Sequence, residues 1–313
     1  MHWPAARCKT WALLATRRTR QLYRSRPLVG AWALAIATAA VFASSATAVG
    51  DPVLVGAGDI AWCGGTGDSA TAALIRKIPG TVFDAGDNAY QYGSTADYAN
   101  CYDPTWGAFK SRTRPAPGNH EYMTSGARGY FGYFGVRAGS SSKGYYAYDL
   151  GTWRIYALNS NCWAVGGCQR GSPQEVWLRH DLAAHPHSCV LAYWHHPLFS
   201  SGTHGNDAEV RPFWDDLYAA HAEVVINGHD HDYERFARQT PSGSLSARGI
   251  REFVVGTGGR SHYPFRTIRP HSEVRNSTTF GVLKLTLHPT SYDWRFVPVA
   301  GRTFADSGST SCH

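Results

Sequence analysis

The sequence predicts an α/β fold in which layers of β-sheet are covered by helices. Short apolar runs alternate with stretches of helical spacing from residue 52 onward. Several of the runs are apolar throughout, the pattern of strands buried on both faces. Five of them also run into a polar residue able to bind a metal, and in open α/β sheets ligands gather at the carboxyl ends of strands.

Residues 52–58 form the first strand, ending at Asp59. Residues 69–78 have helical spacing with Ser69 as N-cap, and residues 81–85 form a second strand just before Asp87. Residues 114–117 lead to Asn119, and residues 145–158 read as two strands turning at Gly151-Thr152. A helix over 172–184 opens with Ser172-Pro173, an N-cap followed by proline in the first turn. Residues 189–194 form a strand running into His195, 209–221 a helix, and 223–227 a strand running into Gly228-His229. Strands over 251–255, 281–287 and 291–298 finish the chain. Gly139-Ser140-Ser141-Ser142 reads as a surface loop, and no internal repeat is present. Residues 49–313 therefore read as one domain.

Residues 1–48 read as a signal peptide. A basic stretch ends at Arg26, an apolar run spans 28–43, and Ala46 and Ala48 supply the small residues of a cleavage site. The run is roughly 16 residues against the ~20 of a membrane span, and an uncleaved anchor is the alternative. Arg17-Arg18 hints at twin-arginine export, but polar Arg20 and Gln21 follow where apolar residues are expected. Seven of the 30 Lys and Arg and none of the 23 Asp and Glu lie in this segment, leaving 23 of each sign beyond it. The formal charge of +7 thus belongs to the leader, and a nucleic-acid-binding surface is not implied. Localisation is expected to be secreted, cell-surface or periplasmic. Six cysteines remain beyond Cys8, an even count that favours disulfides. Cys162 and Cys168 bracket a short loop and are expected to pair. Cys63–Cys101 and Cys189–Cys312 are one arrangement of the other four, which the sequence leaves open.

The chemistry lies in five strings: Gly58-Asp59-Ile60, Gly86-Asp87-Asn88-Ala89-Tyr90, Gly118-Asn119-His120-Glu121, Trp194-His195-His196-Pro197 and Gly228-His229-Asp230-His231. Glycine precedes the polar residue in four, where it permits a tight turn over the strand end. Carboxylate, imidazole and amide oxygen together suit divalent metals and iron. Each string alone is an ordinary turn or surface pair; five in order, each after a strand, are not. No Gly-x-Ser-x-Gly elbow or P-loop lysine motif is present, so serine-hydrolase and kinase readings have no support.

As a set, these strings resemble the calcineurin-like metallophosphoesterases, and within them the purple acid phosphatases, over most of residues 52–300. Tyr233-Glu234-Arg235 is similar to the extension that usually follows the last string. Most of the superfamily has a histidine two residues after the first aspartate, where this chain has Ala61; the purple acid phosphatases use the tyrosine that stands here as Tyr90. The resemblance implies a four-layer α/β/β/α sandwich of two sheets flanked by helices. It implies two metal ions: Fe(III) held by Asp59, Tyr90 and His231, and divalent Fe, Zn or Mn held by Asn119, His195 and His229, with Asp87 bridging. His196 is expected to line the pocket. His120 and His204 would face the substrate as catalytic residues, in hydrolysis of a small phosphorylated substrate by hydroxide generated at the metals. A phosphodiesterase or nucleotidase on the same core is the alternative enzyme, and a non-catalytic metal-binding surface protein the alternative from another class. Loops over 122–133 and 259–276 would set the substrate range. No nucleic acid and no stable membrane association after signal cleavage are expected.

Overall fold

Strands that are apolar on both faces need cover on both, and two stacked mixed sheets provide it. The computed structural model describes residues 50–141, 143–187 and 189–313; the segment read as a signal peptide lies outside the described residues. The first sheet contains β1 (Val53–Ala57), β2 (Thr81–Ala85), β3 (Thr113–Ala116), β11 (Gly281–His288), β12 (Ser291–Pro298) and β13 (Ser307–Ser311), in the order β13-β12-β11-β1-β2-β3. The second contains β4 (Tyr146–Leu150), β5 (Trp153–Ala157), β6 (Cys189–Tyr193), β7 (Val224–Asn227), β8 (Tyr233–Phe236), β9 (Arg251–Val255) and β10 (Ser272–Asn276), in the order β10-β8-β9-β7-β6-β5-β4. The first has parallel β1-β2-β3 at one edge and antiparallel β11, β12 and β13 on the other side, whereas the second has a parallel centre, β5-β6-β7-β9, with antiparallel strands on both sides.

The alternation along β6 shows how the layers form. Cys189, Leu191 and Tyr193 face the core between the sheets, with Leu54, Phe83 and Ile226. Val190, Ala192 and Trp194 face the other way, against Leu178 and Leu182 of α4 (Pro173–Ala184) and Phe213, Trp214 and Leu217 of α5 (Arg211–Ala219). On the other side, α1 (Gly67–Ile75) lays Ala72 and Ile75 into the first sheet's core. The architecture is the expected two sheets flanked by helices. Two short helices, α2 (Thr95–Asp97) and α3 (Arg128–Phe134), sit in the loops after β2 and β3.

Several boundaries differ from expectation. α1 begins at Gly67 and ends at Ile75, and Ser69 is no N-cap: it lies inside the helix, where its N–H donates to Asp68 Oδ1 at 2.8 Å. Gly67 lies against the backbone of Gly259, a contact that a Cβ would block. Ile78 drops out because the chain tightens there, Lys77 N bonding Leu74 O and Ile78 N bonding Ile75 O. The Ser172 cap with Pro173 in the first turn is present as expected. Three strands escaped the sequence reading. β8 and β10 carry charges, and β13 is Ser-Gly-Ser-Thr-Ser, with no apolar residue to give a pattern. β13 is held instead by its pairing with β12, beside the Cys189–Cys312 disulfide. Cys63–Cys101 and Cys162–Cys168 complete the set, with Cα atoms 4.8 and 5.0 Å apart.

Candidate metal centre

The parallel strands of both sheets end at one place. Asp59, Asp87 and Asn119 follow β1, β2 and β3, while His195 and His229 follow β6 and β7. The sheets are tied together there: Gly58 N donates to Val255 O at 2.9 Å, and the His195 Nδ1 lies 2.9 Å from Ala85 O. The glycines of the strings act differently from expectation. Only Gly86 among the four has positive φ; the left-handed backbone falls on Asp59, Asp87 and His229 themselves, at φ 58°, 52° and 72°. The glycines instead permit close approach, since a Cβ on Gly86 would come within 2.6 Å of the His195 ring and one on Gly228 within 2.7 Å of Asp59 Oδ2.

The sequence-predicted ligands form two groups. In the first, the Tyr90 hydroxyl lies 2.7 Å from Asp59 Oδ1, 3.0 Å from Asp87 Oδ2 and 3.2 Å from His231 Nε2. In the second, His195 Nε2 lies 3.0 Å from Asn119 Oδ1, 3.2 Å from His229 Nδ1 and 3.3 Å from Asp87 Oδ2. One atom, Asp87 Oδ2, belongs to both; the other oxygen, Oδ1, accepts the His120 N–H at 2.9 Å. Ala61 is fully buried and its carbonyl accepts the Tyr90 N–H at 2.8 Å, which holds the Tyr90 main chain beside the residue where an imidazole is missing.

Three features fit this donor set to cations. Asp59, Asp87 and Tyr90 are at most 2% exposed, and packing two carboxylates and a phenol together out of water is costly without a positive partner. Burial, then the Asp59 and Asp87 charges, push the Tyr90 pKa well above its ordinary value, so its ionisation needs a Lewis acid. The imidazoles are also oriented from behind. His195 Nδ1 is turned to the Ala85 carbonyl and His231 Nδ1 to Ser261 Oγ at 2.7 Å, leaving both Nε2 atoms toward the cluster. Burial opposes charge on His195, but Asp87 outweighs it and raises the pKa to about 9.

His196, expected in the pocket wall, brings its ring to 4.5 Å from that of His229, and its ligand atom joins those of His195 and His229 within 4.8 Å. Its Nδ1 lies 2.7 Å from Ser160 Oγ, and burial, then His195, lowers its pKa to about 3. His120 packs on the Tyr90 ring at 4.4 Å, with Nδ1 2.6 Å from Gln91 O and Nε2 3.7 Å from Asp87 Oδ2. His204 is exposed, and its ring lies 4.3 Å from that of His229. All nine residues singled out from the sequence meet at this centre.

Two residues went unassigned. Glu121, fully buried, accepts the N–H groups of Asp87, Asn88, Ala89 and Gly118, joining the loops after β2 and β3. Asp230 accepts the N–H of His204 at 2.8 Å and of Gly205 at 3.1 Å, fixing the loop that carries His204. Both stand inside the ligand strings, the only signal that marks them.

The family model described as Calcineurin-like phosphoesterase matches residues 48–233. Purple acid phosphatase 15 of Arabidopsis thaliana is 29% identical over 223 residues, 59% of this chain and 41% of that protein. Probable purple acid phosphatase 20 of the same plant is 27% identical over 167 residues, 45% of this chain and 38% of that one. The chain thus spans about two fifths of the length of these curated relatives. Among solved structures, purple acid phosphatase PPD1 of yellow lupin superposes with a TM-score of 0.63 at 19% identity, covering 83% of this chain and 53% of that one. GAP50, the anchor in the inner membrane complex of Plasmodium, superposes at 0.66 and 11% identity, covering 84% and 90%; both show the fold alone. With more than half its length matched by the family model, the chain belongs to the calcineurin-like phosphoesterase family.

Proposed function

We propose that this chain is an exported, dinuclear-metal phosphoesterase of acid phosphatase type that hydrolyses phosphate monoesters. The observation that carries the reading is the pair of ligand groups sharing Asp87 Oδ2, with Tyr90 beside the alanine that replaces an imidazole. Asp59, Tyr90 and His231 would hold Fe(III), for which a phenolate and a carboxylate are hard donors. Asn119, His195 and His229 would hold divalent Fe, Zn or Mn. When bound, such ions acidify a water and offset the charge of phosphoryl oxygens.

The chain's own residues do the rest. With Nδ1 turned to the Gln91 carbonyl, His120 presents Nε2 to the site, where it holds a proton for the leaving oxygen. His204 stands against His229 at the open edge, within reach of the same leaving group, and Asp230 fixes its main chain. The centre lies at the mouth of the strands, so a small phosphorylated substrate can enter from solvent.

Export belongs to the same proposal, with residues 1–48 as signal peptide and 49–313 as the catalytic domain. Three disulfides support an oxidising compartment. Among the described residues no helix is long and apolar enough to cross a membrane. The balanced charge beyond the leader argues against nucleic acid as a partner.

The test is the visible spectrum of native protein, with metal analysis and kinetics on phenyl phosphate and a phosphodiester. The expected result is two metals per chain and a broad tyrosinate-to-iron band that Tyr90→Phe removes. A colourless, active zinc or manganese protein would overturn the iron assignment, and strong preference for the diester would overturn the monoesterase. Full metal occupancy without hydrolysis of either would leave a metal-binding protein.

A further inference from the structure

Arg260 is the first residue of a basic segment that borders the centre. Residues 260–272 contain three Arg and two His and no Asp or Glu, in a region otherwise balanced in charge. The segment is tied to the site along its length. Arg260 N donates to Asp59 O at 3.0 Å, Tyr263 N to His231 O at 3.1 Å, and Arg266 N to Ser201 O at 2.8 Å. The Tyr263 ring stacks on His231 at 3.9 Å.

The Arg260 guanidinium is held in a defined place. It lies over the Trp62 ring at 4.2 Å and over the Tyr90 ring at 5.2 Å, and Nη2 donates to Gln91 Oε1 at 3.4 Å. Tyr90 carries the hydroxyl of the first ligand group, and the Gln91 carbonyl orients His120, so the cation stands beside both. Trp62 is itself anchored, since its neighbour Cys63 is bonded to Cys101.

What sets Arg260 apart is that a guanidinium without an anionic partner is stacked against the Tyr90 ring of the first ligand group. Arg235 pairs with Asp306 and Glu273, and Arg154 with Asp149 and Asp181, whereas among the described residues no carboxylate lies within ion-pair distance of Arg260. Two aromatic faces and one amide oxygen fix its direction while leaving its charge unmatched. A guanidinium so arranged offers a planar fork suited to phosphate oxygens, at little further ordering cost.

We propose that Arg260 forms an anion subsite beside the metal centre and that the preferred substrates are phosphate esters or anhydrides whose leaving group carries a second phosphate. The inference rests on the phosphoesterase reading above and adds the substrate class to it. The phosphoryl group to be cleaved would be held at the Asp87 cluster, and the second phosphate would meet Arg260 past the Tyr90 and His120 rings.

The test compares the metal-loaded enzyme with Arg260→Gln and Arg260→Lys, using ADP and phenyl phosphate as substrates. Glutamine keeps a long polar side chain without the charge. The ratio of kcat/KM for ADP to that for phenyl phosphate should fall about tenfold in Arg260→Gln, through KM, because a charge-assisted hydrogen bond is lost. Arg260→Lys should recover part of it. An unchanged ratio, or an equal fall for both substrates, overturns the subsite and makes Arg260 a packing support for Trp62 and Tyr90. Calorimetric binding of pyrophosphate against inorganic phosphate gives an independent readout. If the native protein hydrolyses neither substrate, the monoesterase reading fails. A selective loss of pyrophosphate affinity in Arg260→Gln would then still uphold the subsite, and an unselective one would sink it.

Discussion

Asp59, Tyr90 and His231 on one side of Asp87, and Asn119, His195 and His229 on the other, are built from different donors and buried to different depths. The first group places a carboxylate and a phenol beside the shared Asp87, and Asp59, Tyr90 and His231 are at most 3% exposed. It is closed from outside by the stacked Tyr263 ring, with Arg260 over Tyr90. The second group is mostly nitrogen: His195 is buried, but Asn119 and His229 are half-buried and His204 stands exposed beside them. Anionic oxygen donors in a closed setting favour a hard, highly charged ion, while imidazoles and an amide at an open edge favour a borderline divalent one. The asymmetry supports the proposed division of labour, in which a sealed half would store charge and an open half would exchange ligands with solvent.

The largest effect expected from breaking that division is at the two histidines proposed to face the substrate. His120 is pinned by Gln91 O and Tyr90 against the sealed half, so His120→Ala should lower kcat by roughly 10²–10⁴-fold with metal content intact. His204, exposed and held mainly through its main chain, should cost less than His120 when changed to alanine. An equal loss at both would mean that the open edge positions the proton donor as firmly as the sealed half does.

A smaller effect is expected from Glu121, which serves the ligand bridging the two halves. Its oxygens accept four N–H groups and the Tyr98 hydroxyl, although burial and the Asp87 charge push its pKa up to about 7. Glu121→Gln replaces one acceptor oxygen with an N–H₂ that faces these donors. Metal affinity should fall about 10–100-fold, the range for outer-sphere partners, as read by chelator competition. If both metals weaken together, Asp87 is confirmed as the shared element; loss of one alone would argue against a bridge.

These residues also mark what the chain made legible. Ligands at the ends of β1, β2, β3, β6 and β7 were readable because strands buried on both faces produce apolar runs, and the polar residue after each run stands out. Glu121 and Asp230 lie within the same strings, yet their role depends on which N–H groups the fold brings to them from elsewhere, and no local pattern records that. Arg260 was hidden for a related reason: its partners Trp62 and Gln91 are about 200 and 170 residues away in sequence. Charged β10 and the serine-rich β13 were missed because pairing, not hydrophobic periodicity, holds them, and β8 because Glu234-Arg235 separate its buried Tyr233 and Phe236. The four glycines stand at the expected positions for a different cause, close approach replacing positive φ at three of them.

Asp84 sharpens the comparison from below. It stands on β2, three residues before Asp87, fully buried, with Tyr102 donating to Oδ2 at 2.6 Å and no partner at Oδ1. Asp87 has the same burial, but the charges and hydrogen bonds of His195 and His120 together outweigh desolvation and hold its pKa well below the carboxylate range. Asp84 lacks such a neighbour; burial raises its pKa to about 8, against the pull of the Tyr102 hydrogen bond. Its folded pKa thus lies above the unfolded value of about 3.9, so the native state keeps a proton that the unfolded state releases. The resulting stability is full below about pH 4 and declines as pH rises toward about 8, by at most ~1.4 kcal/mol per pH unit. Asp84→Asn cannot titrate and still accepts from Tyr102, while its amide N–H₂ adds a cost that does not vary with pH. The readout is therefore the slope: the drop in Tm from pH 5 to pH 8 should be smaller by roughly 5 °C in the variant. Parallel Tm curves would mean that Asp84 is ionised in the fold, and that a carboxylate can be buried beneath this centre without a positive partner.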